Sequence, residues 1–140
     1  AVALIKSVTH ADGTVETPQE GSSTRVIDES VADQVKNAME SVAEGYSKVV
    51  NVKGYRIAAK TGTAEVAGSD GRLTSIVADF AGMIPADNPR FAITVIMKDP
   101  QGTYGGMTAG PVFAKIGEFL MQKYNVPTSS PRNDAIAVDW

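Results

Sequence analysis

Four consecutive residues concentrate the chemistry this sequence offers: Lys60, Thr61, Gly62 and Thr63. They bring one ammonium, two hydroxyls and, at Gly62, a position where no side chain obstructs an approaching backbone. That set suits an extended ligand carrying a carboxylate. Such a ligand can lie along the chain as an added strand, held by main-chain hydrogen bonds, with its anionic end on Lys60 and the two hydroxyls. On these residues alone, a surface strand turning into a hairpin fits at least as well, because Lys, Thr and Gly are common and a four-residue match is weak.

The elements that must position this quartet can be read from the surrounding periodicity. Tyr55, Ile57 and Ala59 alternate at the spacing of a half-buried strand, which predicts a strand ending in a polar tip at residues 60–63. Behind it, residues 66–73 contain Gly68 and Gly71 and predict a hairpin return. Two more strands follow at residues 74–84 and 91–98, the latter apolar and β-branched enough to be covered on both faces. They are separated by a Pro85-to-Pro89 turn. Asp79 is an oddity inside the first of these two strands, expected to be paired or at an edge rather than catalytic.

Helices flank this meander. Val31, Val35, Ala38, Met39 and Val42 recur at helical spacing, with Asp28 or Ser30 as cap and Gly45 as stop. Later, Pro111 suits a first helical turn, and Val112, Phe113, Ile116, Phe119, Leu120 and Tyr124 form an apolar face expected to lie across the sheet. At the other end, apolar residues 1–9, an Asp12-Gly13 turn and Val15 predict a small hairpin, and residues 17–24 a loop. Residues 44–48 connect helix to strand and are a further candidate for lining a cleft. The sum is an α+β fold: a three-stranded antiparallel meander plus an N-terminal hairpin, packed by helices. Residues 127–134 carry too little apolar content to order themselves, so 127–140 is expected to be a tail, with no assigned dock for Trp140.

Three stretches, taken in order, carry a family resemblance. They are Lys60-Thr61-Gly62-Thr63-Ala64-Glu65, Asp79-Phe80-Ala81-Gly82-Met83-Ile84-Pro85-Ala86-Asp87-Asn88-Pro89-Arg90, and Gly105-Gly106-Met107-Thr108-Ala109-Gly110-Pro111-Val112-Phe113. Together with Arg25-Val26-Ile27 and Gly54-Tyr55, they make residues 1–124 resemble the C-terminal part of a class B penicillin-binding protein. The resemblance implies part of the penicillin-binding, β-lactamase-like transpeptidase fold over residues 1–126. It also implies serine acyl transfer from a D-Ala-D-Ala stem peptide of peptidoglycan, with β-lactam antibiotics as further ligands. By resemblance, Lys60 holds the second-motif serine and the substrate carboxylate, and the Thr61 and Thr63 hydroxyls bind that carboxylate. The Thr63 amide supplies half of the oxyanion hole. Family members often have Gly before this Lys, where Ala59 stands here.

The other two family motifs, Ser-x-x-Lys and Ser-x-Asn, do not occur in the sequence; Ser47-Lys48 has the wrong spacing. The resemblance therefore implies that the nucleophile and a membrane anchor lie upstream of Ala1, on the extracytoplasmic face of the cytoplasmic membrane. The upstream half of the same protein is then a partner, and the 140-residue chain alone is expected to be inert and open to homodimerisation. Two rivals are a β-lactamase or penicillin-sensor relative and a non-catalytic peptide-binding module.

Composition bounds these readings independently. With 140 residues, 43% of them hydrophobic, one compact domain with a core is expected. A net charge of -3 without a Lys/Arg cluster argues against nucleic acid and anionic membranes as partners. There is no cysteine, and the single histidine, His10, sits in a predicted turn, so no metal, no cofactor and no His-dependent triad is expected. No apolar run approaches the ~20 residues needed to span a bilayer.

Overall fold

The computed structural model describes residues 5–17, 24–101 and 104–136. A hairpin comes first, with β1 at Val8–Thr9 and β2 at Val15–Glu16. Its turn is closed by the Asp12 carboxylate, which accepts the Thr14 N–H at 2.9 Å and its hydroxyl at 2.7 Å. Gly13 takes φ +84°, a conformation costly for residues with a Cβ. The hairpin touches no other strand or helix. His10 lies 3.4 Å from Glu16 across it, as a turn residue should.

The second sheet holds the core. Its order is β3-β4-β5, all antiparallel, with β3 at Ala58–Ala67, β4 at Leu73–Ile84 and β5 at Phe91–Lys98. This is the meander the sequence predicts, and the α+β class holds. The strand positions differ in one respect that matters. Tyr55 and Ile57 precede β3 rather than forming it, and residues 60–63 sit inside the strand rather than at its tip. The β-branched Thr61, Thr63 and Val66 extend the ladder, with Lys60 opposite Ala81 and Gly62 opposite Asp79.

Cross-strand pairing puts Ala59, Thr61 and Thr63 on one face with Gly82, Phe80 and Ala78. Helix α2, Gly105–Lys123, covers that face. Phe80 and Phe113 meet there with ring centroids 5.0 Å apart, and with Ile84 and Met121 they are the largest fully buried side chains. Each buried side chain of that size contributes roughly 1.5–3 kcal/mol. The opposite face is largely open: Ile96 is 68% exposed, so β5 is covered on one face, not two.

Helix α1 buries a face other than the one its apolar spacing predicts, and α2 buries only part of its predicted face, at Phe113 with Val112 and Leu120 against the core. In α2 the buried residues are small ones, Gly105, Gly106, Ala109, Gly110, Ala114 and Gly117, beside Phe113 and Met121, while Phe119 and Tyr124 are exposed. Small residues let the helix axis approach the sheet; a Cβ at Gly110 would stand 2.5 Å from Val50. The glycine pair begins the helix, so Pro111 lies inside it rather than at its first turn. In α1, Glu29–Gly45, the buried residues are Glu40, Ser41 and Ala43, whereas Val31, Val35 and Ala38 are exposed. Asp28 occupies the N-cap with extended backbone but makes no side-chain cap bond, and the chain leaves the helix at Tyr46 without a left-handed glycine.

Residues 127–136 are not loose. Arg132, with a side chain 6% exposed, inserts against α1, where its Nη2 donates to Asn37 O at 3.1 Å, to Ser41 Oγ at 2.8 Å and to Asn37 Oδ1. Its Nη1 lies 2.8 Å from Glu44 Oε2, close enough for an ion pair but off the line of a hydrogen bond. Glu40, 3% exposed, takes both Nε and Nη2 of Arg56 and lies 3.8 Å from Arg132 Nε. This segment therefore orders through charge and hydrogen bonds instead of apolar burial. Trp140 lies outside the described residues.

Candidate functional site

Because β3 is the edge of its sheet, the quartet is reachable. Lys60 and Thr63 are exposed and Thr61 and Gly62 half-buried. Lys60 and Gly62 point to the open face, Thr61 and Thr63 to the α2 face, so the strand offers its cation and its hydroxyls on opposite sides of one edge. Lys60 forms no ion pair among the described residues; its ammonium donates to the Thr61 carbonyl at 2.9 Å. Thr63 Oγ1 accepts the Gly105 N–H at 3.2 Å at the start of α2, which leaves the hydroxyl proton free to donate. A cleft of about 370 Å³ opens beside Thr63, with Glu65, Ser75, Asp99 and Tyr104 on its walls.

Gly62 is small for a reason the sequence does not reveal. A Cβ there would stand 2.6 Å from Asp79 Oδ1 and 2.7 Å from its Cγ, so the Asp79 carboxyl lies directly over the Gly62 backbone. Gly105 is equally constrained, since a Cβ there would overlap the Asp79 and Gly62 carbonyls. Two glycines and one acid thus bring β3, β4 and the α2 start together at the quartet. The Gly105-Gly106 pair was the available signal for this packing; Asp79, expected to be paired or at an edge, lies on the central strand, and its side chain has no hydrogen bond or ion pair among the described residues.

The connector at residues 44–48 lines a separate cleft, where Glu44 and Ser47 meet Tyr55, Arg56 and Ile57; none of residues 60–63 borders it. The other polar cluster anchors residues 127–136. Asp87 accepts Ser129 Oγ at 2.7 Å and the Ser130 N–H at 2.9 Å. Burial alone would raise its pKa, but these two bonds, with Arg56 nearby, hold the carboxyl below its ordinary value of 3.8. The bond to Glu40 holds Arg56 above its ordinary value, against burial.

An exposed edge strand bearing Lys-Thr-Gly-Thr, backed by a meander and a C-terminal helix, is the arrangement expected of a penicillin-binding transpeptidase fold. Comparison with known proteins agrees. Residues 1–118 match the penicillin binding protein transpeptidase domain. The chain is 44% identical over 107 residues to the peptidoglycan D,D-transpeptidase FtsI of Escherichia coli, covering 73% of this chain and 18% of that one. It is 35% identical to the penicillin-binding protein PbpB of Mycolicibacterium smegmatis, covering 90% of this chain and 22% of that one.

Among solved structures, a peptidoglycan synthetase from Bifidobacterium adolescentis superposes with a TM-score of 0.77 at 67% identity, over 96% of this chain and 25% of that one. Penicillin-binding protein 3 from Mycobacterium tuberculosis, complexed with ampicillin, gives 0.70 at 30% identity, over 93% of this chain and 32% of that one. The chain belongs to the penicillin-binding protein transpeptidase family. It spans about a fifth of the length of these curated relatives.

Proposed function

We propose that this chain supplies the Lys-Thr-Gly-Thr strand of a serine D-Ala-D-Ala transpeptidase that cross-links peptidoglycan stem peptides and is acylated by β-lactams. The observation that carries the reading is the placement of Lys60, Thr61, Gly62 and Thr63 on an accessible edge strand, with the ammonium and the hydroxyls unclaimed by any side-chain partner. In this reading the Thr61 and Thr63 hydroxyls receive the substrate carboxylate and Lys60 holds the serine of the second motif. The Thr63 N–H stabilises the oxyanion as the acyl carbon becomes tetrahedral. Gly62 makes room for the Asp79 carboxyl, and a peptide pairs with the main chain along the strand's free edge.

The nucleophilic serine comes from polypeptide other than these 140 residues, because no Ser-x-x-Lys occurs in them. It attacks the penultimate D-Ala carbonyl, the terminal D-Ala leaves, and an acceptor amine then takes the acyl group. The reaction belongs to the cell envelope, at the outer face of the cytoplasmic membrane. Val26 (88% exposed), Ile27, Val31 and Val35 are exposed apolar residues, and in this reading the other half covers them. Residues 1–126 form the transpeptidase portion, with 127–140 appended.

Intact mass spectrometry after excess benzylpenicillin tests the reading. No adduct is expected on the 140-residue chain alone. A stoichiometric adduct on a serine outside it is expected when both halves are present. An adduct on the isolated chain, or none on the full gene product, refutes it. Light scattering separates docking of the other half from self-association, which a concentration-dependent dimer of the isolated chain reveals.

A further inference from the structure

Asp79 is the one acid seated against the quartet, and no partner in the described structure accounts for it. Its residue pairs directly with Gly62, so the two side-chain positions share a face, and Lys60 is the next residue on that face. Diagonal neighbours of this kind lie about 7–8 Å apart at the backbone, within reach of a lysine side chain. The carboxylate is pinned: it rests over the Gly62 backbone, and its own main chain is wedged against Gly105. By contrast, the Lys60 ammonium is held only by the Thr61 carbonyl. Asp70, Glu65 and Asp99 are the other acids near this end of the sheet in sequence, but none of them pairs with Gly62 or shares the Lys60 diagonal.

We propose that Asp79 is a positioning residue for Lys60, drawing its ammonium onto the open face of the sheet. The inference rests on the proposed function and sharpens it. The hydroxyls of Thr61 and Thr63 lie on the α2 face, so the strand itself separates Asp79 from the carboxylate they are assigned to bind. Asp79 thus commits Lys60 to the second-motif serine and the acylation step, and leaves substrate anchoring to the hydroxyls. No bond is made or broken by Asp79.

The test is benzylpenicillin acylation by the full gene product, resolved into the binding constant Ks and the acylation rate k2, for wild type, Asp79→Asn and Asp79→Ser. Asn keeps the shape over Gly62 without the charge, and Ser removes both charge and bulk, so one readout survives if either packs badly. The expected result is a fall in k2 of about tenfold with Ks within a factor of about two. An unchanged k2, or a loss confined to Ks, overturns the inference and leaves the proposed function standing. A wild-type protein that is never acylated refutes the proposed function, and this inference with it.

Discussion

Two clusters of cations show opposite designs. At the anchor of residues 127–136, Arg132 and Arg56 are 6% and 21% exposed and converge on Glu40, with Asn37 and Ser41 accepting from Arg132 Nη2 and with Glu44 and Asp134 as further counter-charges. At the edge of β3, Lys60 is exposed and rests on one backbone carbonyl. Planar guanidinium groups suit fixed, many-bonded positions, whereas a lysine on a flexible stem suits a charge that must be redirected. Where the fold uses a cation to hold itself together it surrounds it with acceptors, and where it offers one to a ligand it leaves it nearly bare.

Removing Glu40 is the strongest challenge to this contrast. Glu40→Ala takes the two-point partner from Arg56 and one counter-charge from the deeply buried Arg132, and should cost about 3–5 kcal/mol in urea denaturation. A loss under about 1 kcal/mol would mean that the anchor is an ordinary surface ion pair. Thr63→Val removes the acceptor of the Gly105 N–H and is expected to cost about 1 kcal/mol by the same measurement.

Asp87→Asn should be milder, because Asp87 is solvent-exposed and its interactions are screened. Its folded pKa lies below the ordinary 3.8, so its contribution is present above that value and is lost as pH falls through the folded pKa. The difference between wild type and Asp87→Asn should therefore be visible near neutral pH and vanish in strong acid; a gap that persists there breaks the assignment. Smallest of all, Lys60→Ala should change stability by no more than about 0.5 kcal/mol while abolishing β-lactam acylation of the full gene product. A thermal midpoint falling as far as that of Glu40→Ala would erase the contrast.

What the sequence made legible follows periodicity and turn chemistry. The three strands, the hairpin closed at Asp12-Gly13 and the two helices all carry local signals, and the structure places them close to expectation. What it concealed depends on partners distant in the chain. Arg132 bonds Ser41 across 91 residues, and Tyr55 donates to the Val126 carbonyl across 71, so a segment that looks too polar to order is held firmly. For the same reason Glu40 and Ser41 are buried on α1 while Val31 and Val35 face outward.

Apolar spacing likewise missed that α2 packs through glycines and alanines, because closeness of backbones leaves no pattern of large side chains. At the candidate site the quartet was visible as text. The reason for Gly62, namely the Asp79 carboxyl above it, needed the strand register.

The Arg132 clasp also bears on how this molecule breathes. It ties residues 37–44 to the C-terminal segment through a loop of about ninety residues, and closing a loop of that size carries an entropic cost that grows only slowly with length. Once closed, the last turns of α1 cannot open without also releasing the segment after Val126. Amide hydrogens of Ser41 to Gly45 and of residues 129–136 should therefore exchange as one cooperative unit, although about ninety residues separate them.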